Sequence, residues 1–273
     1  EARAHAAEWV WMTKVVMGEL TIQALHFREI ARSLKEFVTR YVMFITVFGQ
    51  KGGVAKTCSS IHIAACWSYQ QKRVVLVDAD RNRSATAYGA RELMPFPVVP
   101  IEAAAKATRL AEIIVTDGQA SSNEDEIKNL VEGADFILLP TTTQSRSIEL
   151  TIEMSQMLRK YRVPSAALLV KVDARKETAA EQATELLQAF DIKVLDSQIP
   201  LLSAFEQAET EGVIVDQAVD KRGRANPRRM IGWSAYCATC KEIEDLFEEH
   251  RKLRKNQSPI GWDFTRMEHR IAA

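Results

Sequence analysis

Residues 48–57 read Phe48-Gly49-Gln50-Lys51-Gly52-Gly53-Val54-Ala55-Lys56-Thr57, a glycine-rich segment that contains two lysines. It lies between an apolar run and a stretch with helical spacing, which is the strand–loop–helix context of a phosphate-binding loop. Gly52 and Gly53 allow backbone N–H groups to approach phosphate oxygens closely, and the following helix directs its positive end to the same point. We therefore predict that Lys56 contacts the β- and γ-phosphates of a nucleotide and that the Thr57 hydroxyl binds Mg²⁺.

Carboxylates follow two further apolar runs. Asp78 and Asp80 come after Val74–Val77, and Asp117 comes after Ile113–Thr116. Because the carboxyl ends of parallel strands meet at one edge of a sheet, these side chains are expected beside the phosphate loop. Asp80 and Asp117 are predicted to bind Mg²⁺ together with Thr57, and Asp80 is also placed to orient or deprotonate an attacking water. A single Asp after a strand is more often a helix cap, but three beside a phosphate loop indicate a nucleotide site.

Short apolar runs alternate with helical stretches along most of the chain. The apolar runs are Met43–Phe48, Val74–Val77, Ile113–Thr116, Phe136–Leu139, Ala166–Val172 and Ile192–Leu195, and the helical stretches lie near residues 56–71, 124–133, 145–161 and 176–190. Strands that are apolar on both faces and separated by helices predict a doubly wound, mostly parallel α/β sheet with helices on both faces. We expect a helical extension at residues 1–42, one domain at 43–255 that ends in a long helix, and a tail at 256–273.

The composition excludes several classes of protein. Lys and Arg total 36 and Asp and Glu total 36, so the net charge is zero, and 47% of the residues are hydrophobic. Such a chain is neither disordered nor a uniformly basic nucleic-acid binder. It contains four cysteines, Cys58, Cys66, Cys237 and Cys240. Because the pair at 237 and 240 has no second pair or downstream histidine to complete a zinc site, a metal site there is disfavoured. We interpret Cys58 and Cys66 as packed thiols on a helix, and a reducing cytoplasm is the simplest setting.

The segment from Lys51 to Thr57 resembles the deviant Walker A box of the ParA/MinD partition and positioning ATPases, in which Lys51 is the signature lysine. Residues 75–80 are similar to the second motif of that family, and residues 114–117 to its Walker B strand. Ile199-Pro200 resembles the loop that lies near the adenine base. The similarity extends from about residue 43 to about residue 216, and it implies the fold of the P-loop NTPases.

The resemblance implies a slow ATPase that uses ATP and Mg²⁺ and closes as a homodimer on two nucleotides. Lys51 would reach the phosphates held by the partner subunit, so Lys51, Lys56 and Asp80 are the catalytic candidates. The nucleotide-binding candidates are Gln50, Lys51, Gly52, Gly53, Val54, Ala55, Lys56, Thr57, Cys58, Asp117, Lys171, Asp173 and Pro200. For Asp173, a helix cap paired with Arg175 is an equal alternative to a contact with the base.

ParA-type members bind DNA nonspecifically as ATP dimers and release it after hydrolysis, which a cargo-bound partner protein stimulates. The resemblance therefore implies a bacterial, nucleoid-associated protein. The candidates for contact with DNA phosphates are Lys221, Arg222, Arg224, Arg228 and Arg229. A solvated basic loop with Asp220 as its neighbour is the alternative reading of this cluster, and the two readings have equal weight.

A second function within the same family is placement on a membrane surface, as in the MinD branch. The last predicted helix has Ile243, Leu246, Phe247 and Leu253 on one side, but acidic residues dominate its polar face. Because an acidic face suits anionic lipids poorly, we favour DNA over a membrane.

The sequence departs from the family pattern at four places. Ala55 stands where a glycine is usual, Arg81-Asn82 replaces Pro-Gln, Gly118-Gln119 replaces Thr-Pro, and Leu201 replaces an arginine.

Overall fold

The computed structural model describes residues 42–120 and 123–257. The predicted helical extension before residue 42 and the tail after residue 257 lie outside these ranges. Within the described residues, no helix combines the length and the apolar character that crossing a bilayer requires.

The described residues form a seven-stranded sheet in which every pair of neighbouring strands is parallel. The strands are β1 Met43–Val47, β2 Val74–Ala79, β3 Val98–Pro100, β4 Ile113–Gly118, β5 Phe136–Thr141, β6 Ser165–Val172 and β7 Val194–Pro200. Their order in the sheet is β3-β2-β4-β1-β5-β6-β7. The predicted doubly wound parallel sheet is confirmed. Because the order of the strands reverses next to β1, where β2 to β4 lie on one side and β5 to β7 on the other, the carboxyl end of that strand is the expected place for a ligand.

Helices connect the strands. They are α1 Lys56–Tyr69, α2 Ser84–Gly89, α3 Ala104–Ala107, α4 Glu124–Glu132, α5 Ser145–Leu158, α6 Glu177–Ala189, α7 Ser203–Glu211 and α8 Arg229–Gln257. The sequence analysis did not find β3, α2, α3 or α7. The elements β3, α2 and α3 have six residues or fewer, which is too short for periodicity to separate them from loops. Helix α7 has nine residues, as many as α4, which was found.

Both faces of the sheet are buried. Along β5, Phe136 and Leu138 belong to the apolar cluster that includes Trp67 of α1, whereas Ile137 and Leu139 belong to the cluster beneath α4 and α5. All four β5 side chains are at most 1% exposed. This double coverage explains why the strands read as continuous apolar runs rather than as alternating ones.

Helix α8 is fixed to the domain by two of its acidic side chains. The Glu242 carboxylate accepts hydrogen bonds from the backbone N–H groups of Asp196 and Ser197, at 2.6 and 2.8 Å, in the edge strand β7. The Glu244 carboxylate accepts a hydrogen bond of 2.7 Å from Trp67 Nε1. These contacts place α8 against α1, the helix that begins at the phosphate loop.

Candidate functional site

The phosphate loop joins β1 to α1 through two residues in the left-handed backbone region. Gly53 has a φ of 78° and Ala55 a φ of 56°. Glycine adopts this region without strain, but a Cβ atom makes it costly. Ala55 therefore holds a conformation suited to the glycine that is usual at this position, and α1 begins directly after it.

Lys56 stabilises the conformation of the phosphate loop. Its Nζ atom donates a hydrogen bond of 2.9 Å to the carbonyl oxygen of Lys51, and its side chain is buried. Burial lowers the pKa of Lys56, and the carboxylates of Asp117 and Asp80 partly offset that shift. The ammonium group is therefore largely desolvated, which strengthens its attraction for an incoming phosphate.

Asp117 lies at the end of β4, in register with Val47 of β1 and Asp78 of β2. Its Oδ1 atom accepts a hydrogen bond of 3.0 Å from Ser60 Oγ. Its Oδ2 atom is buried and makes no hydrogen bond to any described residue. Burial raises the pKa of Asp117 to about 6, and the hydroxyls of Thr57 and Ser60 partly offset the rise. A buried carboxylate oxygen of this kind beside a threonine hydroxyl suits Mg²⁺, which prefers oxygen ligands.

Asp78 and Asp80 have different roles. Asp78 is fully buried, and its Oδ2 atom accepts hydrogen bonds of 2.7 Å from both the backbone N–H and the hydroxyl of Thr86. Its Oδ1 atom accepts from the backbone N–H of Asp80 at 3.1 Å. Asp78 is therefore a structural group that fixes the turn after β2, whereas Asp80 is half-buried and lines the cavity described next.

A cavity of about 600 Å³ opens at the carboxyl ends of the strands, beside the phosphate loop. Nine of the predicted site residues line it: Gly52, Gly53, Ala55, Lys56, Thr57, Cys58, Asp80, Lys171 and Pro200. The sequence analysis missed other lining residues, namely Tyr88, Phe205, Glu206, Glu209 and Tyr236. These residues come from α2, α7 and α8. A volume of this size is typical of small-molecule sites.

Five predicted nucleotide-binding residues do not line this cavity, and Asp117, described above, is one of them. Gln50 contacts Met157 Sδ at 3.8 Å, and Val54 is buried. Lys51 Nζ donates a hydrogen bond of 3.1 Å to Gln144 Oε1, just before α5. Asp173 pairs with Arg175 through two side-chain hydrogen bonds of 2.9 and 2.8 Å, which is one half of the alternative that the sequence left open. The other half, a helix cap, is wrong, because the cap position of α6 is Lys176 and no side chain caps that helix. The Arg175 guanidinium lowers the pKa of Asp173 to about 2.

Lys171 bridges β6 and the phosphate loop. Its Nζ atom donates a hydrogen bond of 2.9 Å to the carbonyl oxygen of Gly53, and its backbone is left-handed, with a φ of 55°. Lys171 thus contacts the loop rather than the far end of the cavity. A role in recognising the base stays a prediction.

Two of the five cations in the basic cluster at 221–229 contact other groups of the domain. Arg224 pairs with Asp220 at 2.8 Å. Arg229 donates hydrogen bonds to the carbonyl oxygens of Asp216 and Asn226, at 2.9 and 3.1 Å. The remaining members are Lys221, Arg222 and Arg228, which are exposed and form no side-chain ion pair with any described residue.

Residues 45–215, more than half of the chain, match the CobQ/CobB/MinD/ParA nucleotide binding domain family. The chain belongs to this family. The match covers the phosphate loop, both carboxylate motifs and the loop at Pro200. The chain is an ATP-binding ATPase of the ParA/MinD type, and the resemblance noted in the sequence is confirmed.

Individual relatives support the same assignment. Maintenance of carboxysome distribution protein A from Gloeobacter kilaueensis is 27% identical over 195 residues, which cover 67% of this chain and 88% of that protein. Sporulation initiation inhibitor protein Soj from Bacillus subtilis is 49% identical over 43 residues, which cover 16% of this chain and 17% of that protein. The AMPPNP-bound putative plasmid partition protein from Borrelia burgdorferi superposes with a TM-score of 0.57 and 16% identity, over 74% of this chain and 99% of that one. This last likeness shows the fold.

Proposed function

We propose that this ATPase is a ParA-type positioning switch: it binds ATP with Mg²⁺, closes as a sandwich dimer, and then binds DNA nonspecifically. A partner protein on the cargo would stimulate hydrolysis and release. The observation that best supports this proposal is the position of Lys51, the additional lysine of the phosphate loop.

Lys51 and Lys56 occupy different sides of the loop. Lys56 lines the cavity and serves the phosphates bound by its own chain. Lys51 does not line the cavity, and its ammonium group contacts Gln144 instead. A cation on the side of the loop that faces away from the cavity suits the phosphates of a facing subunit, because lysine carries its charge on a long flexible stem.

The residues around Asp117 fit Mg²⁺. The Thr57 hydroxyl, the Oδ2 atom of Asp117 and the carboxylate of Asp80 would hold the ion. When bound, it supplies positive charge that neutralises the phosphates. Asp80 lines the cavity through the turn that Asp78 fixes, and its carboxylate is suited to orient the hydrolytic water.

Lys221, Arg222 and Arg228, which form no ion pair within the part of the chain that the structure describes, support contact with DNA phosphates. Each such contact releases counterions, so the affinity falls steeply with salt. One subunit offers three of these side chains and a dimer doubles them. ATP-dependent dimerisation would therefore couple nucleotide binding to DNA binding.

The cargo class is inferred from the relatives. One is named for carboxysome distribution and another structure is named as a plasmid partition protein, so we propose a protein body or a DNA element as the cargo. The packing of α8 favours DNA over a membrane surface. Ile243 of that helix is fully buried and Leu246 and Phe247 pack on the core, so these apolar side chains are occupied within the domain.

Light scattering tests the dimer. The wild-type mass should double with ATP and Mg²⁺ but not with ADP. Lys51→Ala should remain monomeric while it still binds ATP, because Lys56 serves the local phosphates. Lys72→Ala, an exposed lysine after α1, is the matched control and should dimerise normally. An unchanged mass with ATP, or dimerisation of Lys51→Ala, would refute the sandwich.

Co-sedimentation with DNA and with anionic liposomes tests the surface that the dimer binds. We expect DNA binding with ATP only. Replacement of Lys221, Arg222 and Arg228 by Ala should weaken it and flatten its salt dependence by roughly 0.9 per lost contact in the logarithmic slope. A control that removes the same charge at exposed Lys106, Arg109 and Lys193 should bind as the wild type does. Binding to liposomes instead of DNA would replace the proposal with the membrane function.

A further inference from the structure

Three of the four cysteines meet at the contact between α1 and α8. Cys66 Sγ of α1 lies 3.3 Å from Cys237 Sγ of α8, although 171 positions separate the two residues. Cys240, one turn further along α8, directs its thiol to the carbonyl oxygen of Ile63 at 3.6 Å. All of these thiols are free. The sequence showed the spacing of Cys237 and Cys240 but could not show that Cys66 joins them.

Neighbouring hydrogen bonds hold the two helices in place on both sides of the thiol pair. Ser59 Oγ lies 3.1 Å from the Tyr236 hydroxyl, and Trp67 Nε1 donates to Glu244 at 2.7 Å. The two sulfur atoms are therefore held close together by the packing of the domain. A disulfide bond needs a sulfur–sulfur distance of about 2.05 Å, so the two sulfur atoms, now 3.3 Å apart, would have to move closer for the bond to form.

Metal binding is the other chemistry that clustered thiols suggest. No group of three or more His, Cys, Asp or Glu side chains in the described part of the chain is arranged to hold a metal ion. The cluster thus supplies a thiol pair and lacks the four ligands of a structural zinc site.

We propose that Cys66 and Cys237 form a thiol–disulfide site that reacts with a small-molecule disulfide, such as glutathione disulfide. Cys237 is partly exposed and Cys66 is buried, so Cys237 is the thiol that meets the reagent. Cys240 is fully buried, and its thiol interacts with that of Cys66.

The reaction is an exchange in two steps. The Cys237 thiolate attacks one sulfur of the small disulfide, which forms a mixed disulfide and releases one small thiol. Cys66, as its thiolate, then attacks Cys237 Sγ, which forms the Cys66–Cys237 bond and expels the second small thiol. The two protein thiols together lose two protons and two electrons. The small disulfide accepts both and ends as two thiols.

The bond would link the helix that begins at the phosphate loop to the helix that carries Tyr236, a residue of the cavity wall. Burial raises the pKa of Cys237 to about 12, so little thiolate is present at neutral pH and the exchange is slow. It does not depend on dimerisation or DNA binding.

Peptide mapping of the full chain tests the site. The native protein is incubated with excess glutathione disulfide, the remaining thiols are capped with N-ethylmaleimide, and the digest is analysed by mass spectrometry. We expect a linked pair of peptides that contain Cys66 and Cys237 and that separate on reduction. Because this measurement uses the wild-type chain, it does not rely on a variant that folds. Recovery of only a Cys237–Cys240 link, or of Cys237 solely as free thiol or glutathione adduct, overturns the proposal.

Thermal unfolding provides the second readout. A link that closes so long a loop should raise the unfolding midpoint of the oxidised protein on the order of 10 °C. Cys237→Ser should lose both the linked peptides and the rise. Cys58→Ser, which removes a different partly exposed thiol of α1, should keep both. An equal midpoint for the linked and reduced wild-type protein would contradict a bond that joins these helices without strain.

Discussion

Arg81 Nη2 lies 2.6 Å from Glu126 Oε1, so the turn after β2 is fastened to helix α4. The other oxygen of the same carboxylate accepts a hydrogen bond of 2.6 Å from Gln119 Nε2, in the segment after β4. Arg81 follows Asp80, and Gln119 follows Asp117 by two positions. Two of the departures from the family pattern therefore meet at Glu126, which connects the segments that follow Asp80 and Asp117, the two carboxylates proposed to hold Mg²⁺.

Glu126→Ala should release both segments. We expect the rate of ATP hydrolysis to fall roughly threefold to tenfold, because Asp80 and Asp117 would be held less firmly. The affinity for ATP should change little, since Glu126 does not line the cavity. Steady-state hydrolysis and nucleotide binding, measured on the same preparation, separate these two effects.

Glu132→Ala is the matched control for Glu126→Ala. Glu132 is also on α4, but it pairs with Lys128 at 3.7 Å on the exposed side. Its replacement should leave hydrolysis unchanged, because an exposed ion pair on one helix contributes little. Equal rates for both variants and the wild type would show that the Glu126 bridge does not position the site.

Ala55→Gly should stabilise the protein. Ala55 has a φ of 56°, where a Cβ atom costs roughly 1–2 kcal/mol, and the greater freedom of glycine in the unfolded chain offsets part of the gain. We expect a net increase of about 0.5–1 kcal/mol in the free energy of unfolding, measured by urea denaturation.

Ala179→Gly is the control, because it should change the free energy of unfolding in the opposite direction. Ala179 is in helix α6, where glycine lowers stability by about 0.5–1 kcal/mol relative to alanine. A loss of stability in Ala55→Gly as large as that in Ala179→Gly would show that the methyl group of Ala55 makes contacts that outweigh the backbone strain.

The sheet was predictable because its strands are buried on both faces and therefore stand out as apolar runs. Six of the seven strands were found, but the run at 192–195 marked only the start of β7. The remaining strand, β3, has three residues, all half-buried, at the edge of the sheet. It is therefore too short to appear in the sequence as a buried apolar run. The phosphate loop was predictable because its function needs specific residues in a fixed order.

The cavity lining contributed by α7 and α8 was not predictable from the sequence. Phe205, Glu206 and Glu209 belong to α7, and Tyr236 belongs to α8, and their approach to the phosphate loop depends on tertiary packing. The partners of the acidic residues of α8 were not predictable for the same reason. Glu242 and Glu244 accept hydrogen bonds from the backbone of β7 and from Trp67 Nε1, so this helix is packed on the domain, as its acidic face indicated.

Asp117→Asn should separate stability from activity. The raised folded pKa of about 6, against an ordinary value of 3.8, means that the folded state binds a proton more tightly between these values. Wild-type stability therefore falls as the pH rises through that window, and the cost remains at neutral pH. Removal of the buried charge should stabilise the nucleotide-free protein by about 1–3 kcal/mol at neutral pH. It should also lower Mg²⁺-dependent hydrolysis by roughly a hundredfold.

Asp80→Asn carries the same chemical change at a half-buried position. It should reduce hydrolysis without the gain in stability, because Asp80 remains in contact with water. Denaturation of both variants and the wild type in the absence of nucleotide measures the difference in the free energy of unfolding. An Asp117→Asn protein that is less stable than the wild type would mean that the folded structure already compensates this carboxylate.

His62 should make the protein sensitive to acid. The ring is buried within α1 and stacks on Tyr236 at a centroid distance of 4.9 Å. Its Nε2 atom accepts a hydrogen bond of 3.1 Å from the backbone N–H of Val215. Because a backbone N–H can only donate, Nε2 carries no proton. The proton is therefore on Nδ1, which lies 2.7 Å from the carbonyl oxygen of Cys58.

Protonation of His62 would place two donors against each other at Nε2, inside the core. Burial lowers the pKa of His62 from 6.5 to about 4, so the unfolded chain binds the proton more tightly between these values. The contribution of His62 to stability is complete above the pKa of the unfolded chain and is lost as the pH falls toward 4, by about 3 kcal/mol in total.

His62→Gln, which does not titrate, should be less stable than the wild type at neutral pH because packing is lost. Its unfolding free energy should nevertheless decline less steeply on acidification, so the two curves should converge. Curves that remain parallel across this range would show that His62 is not the group that responds to acid.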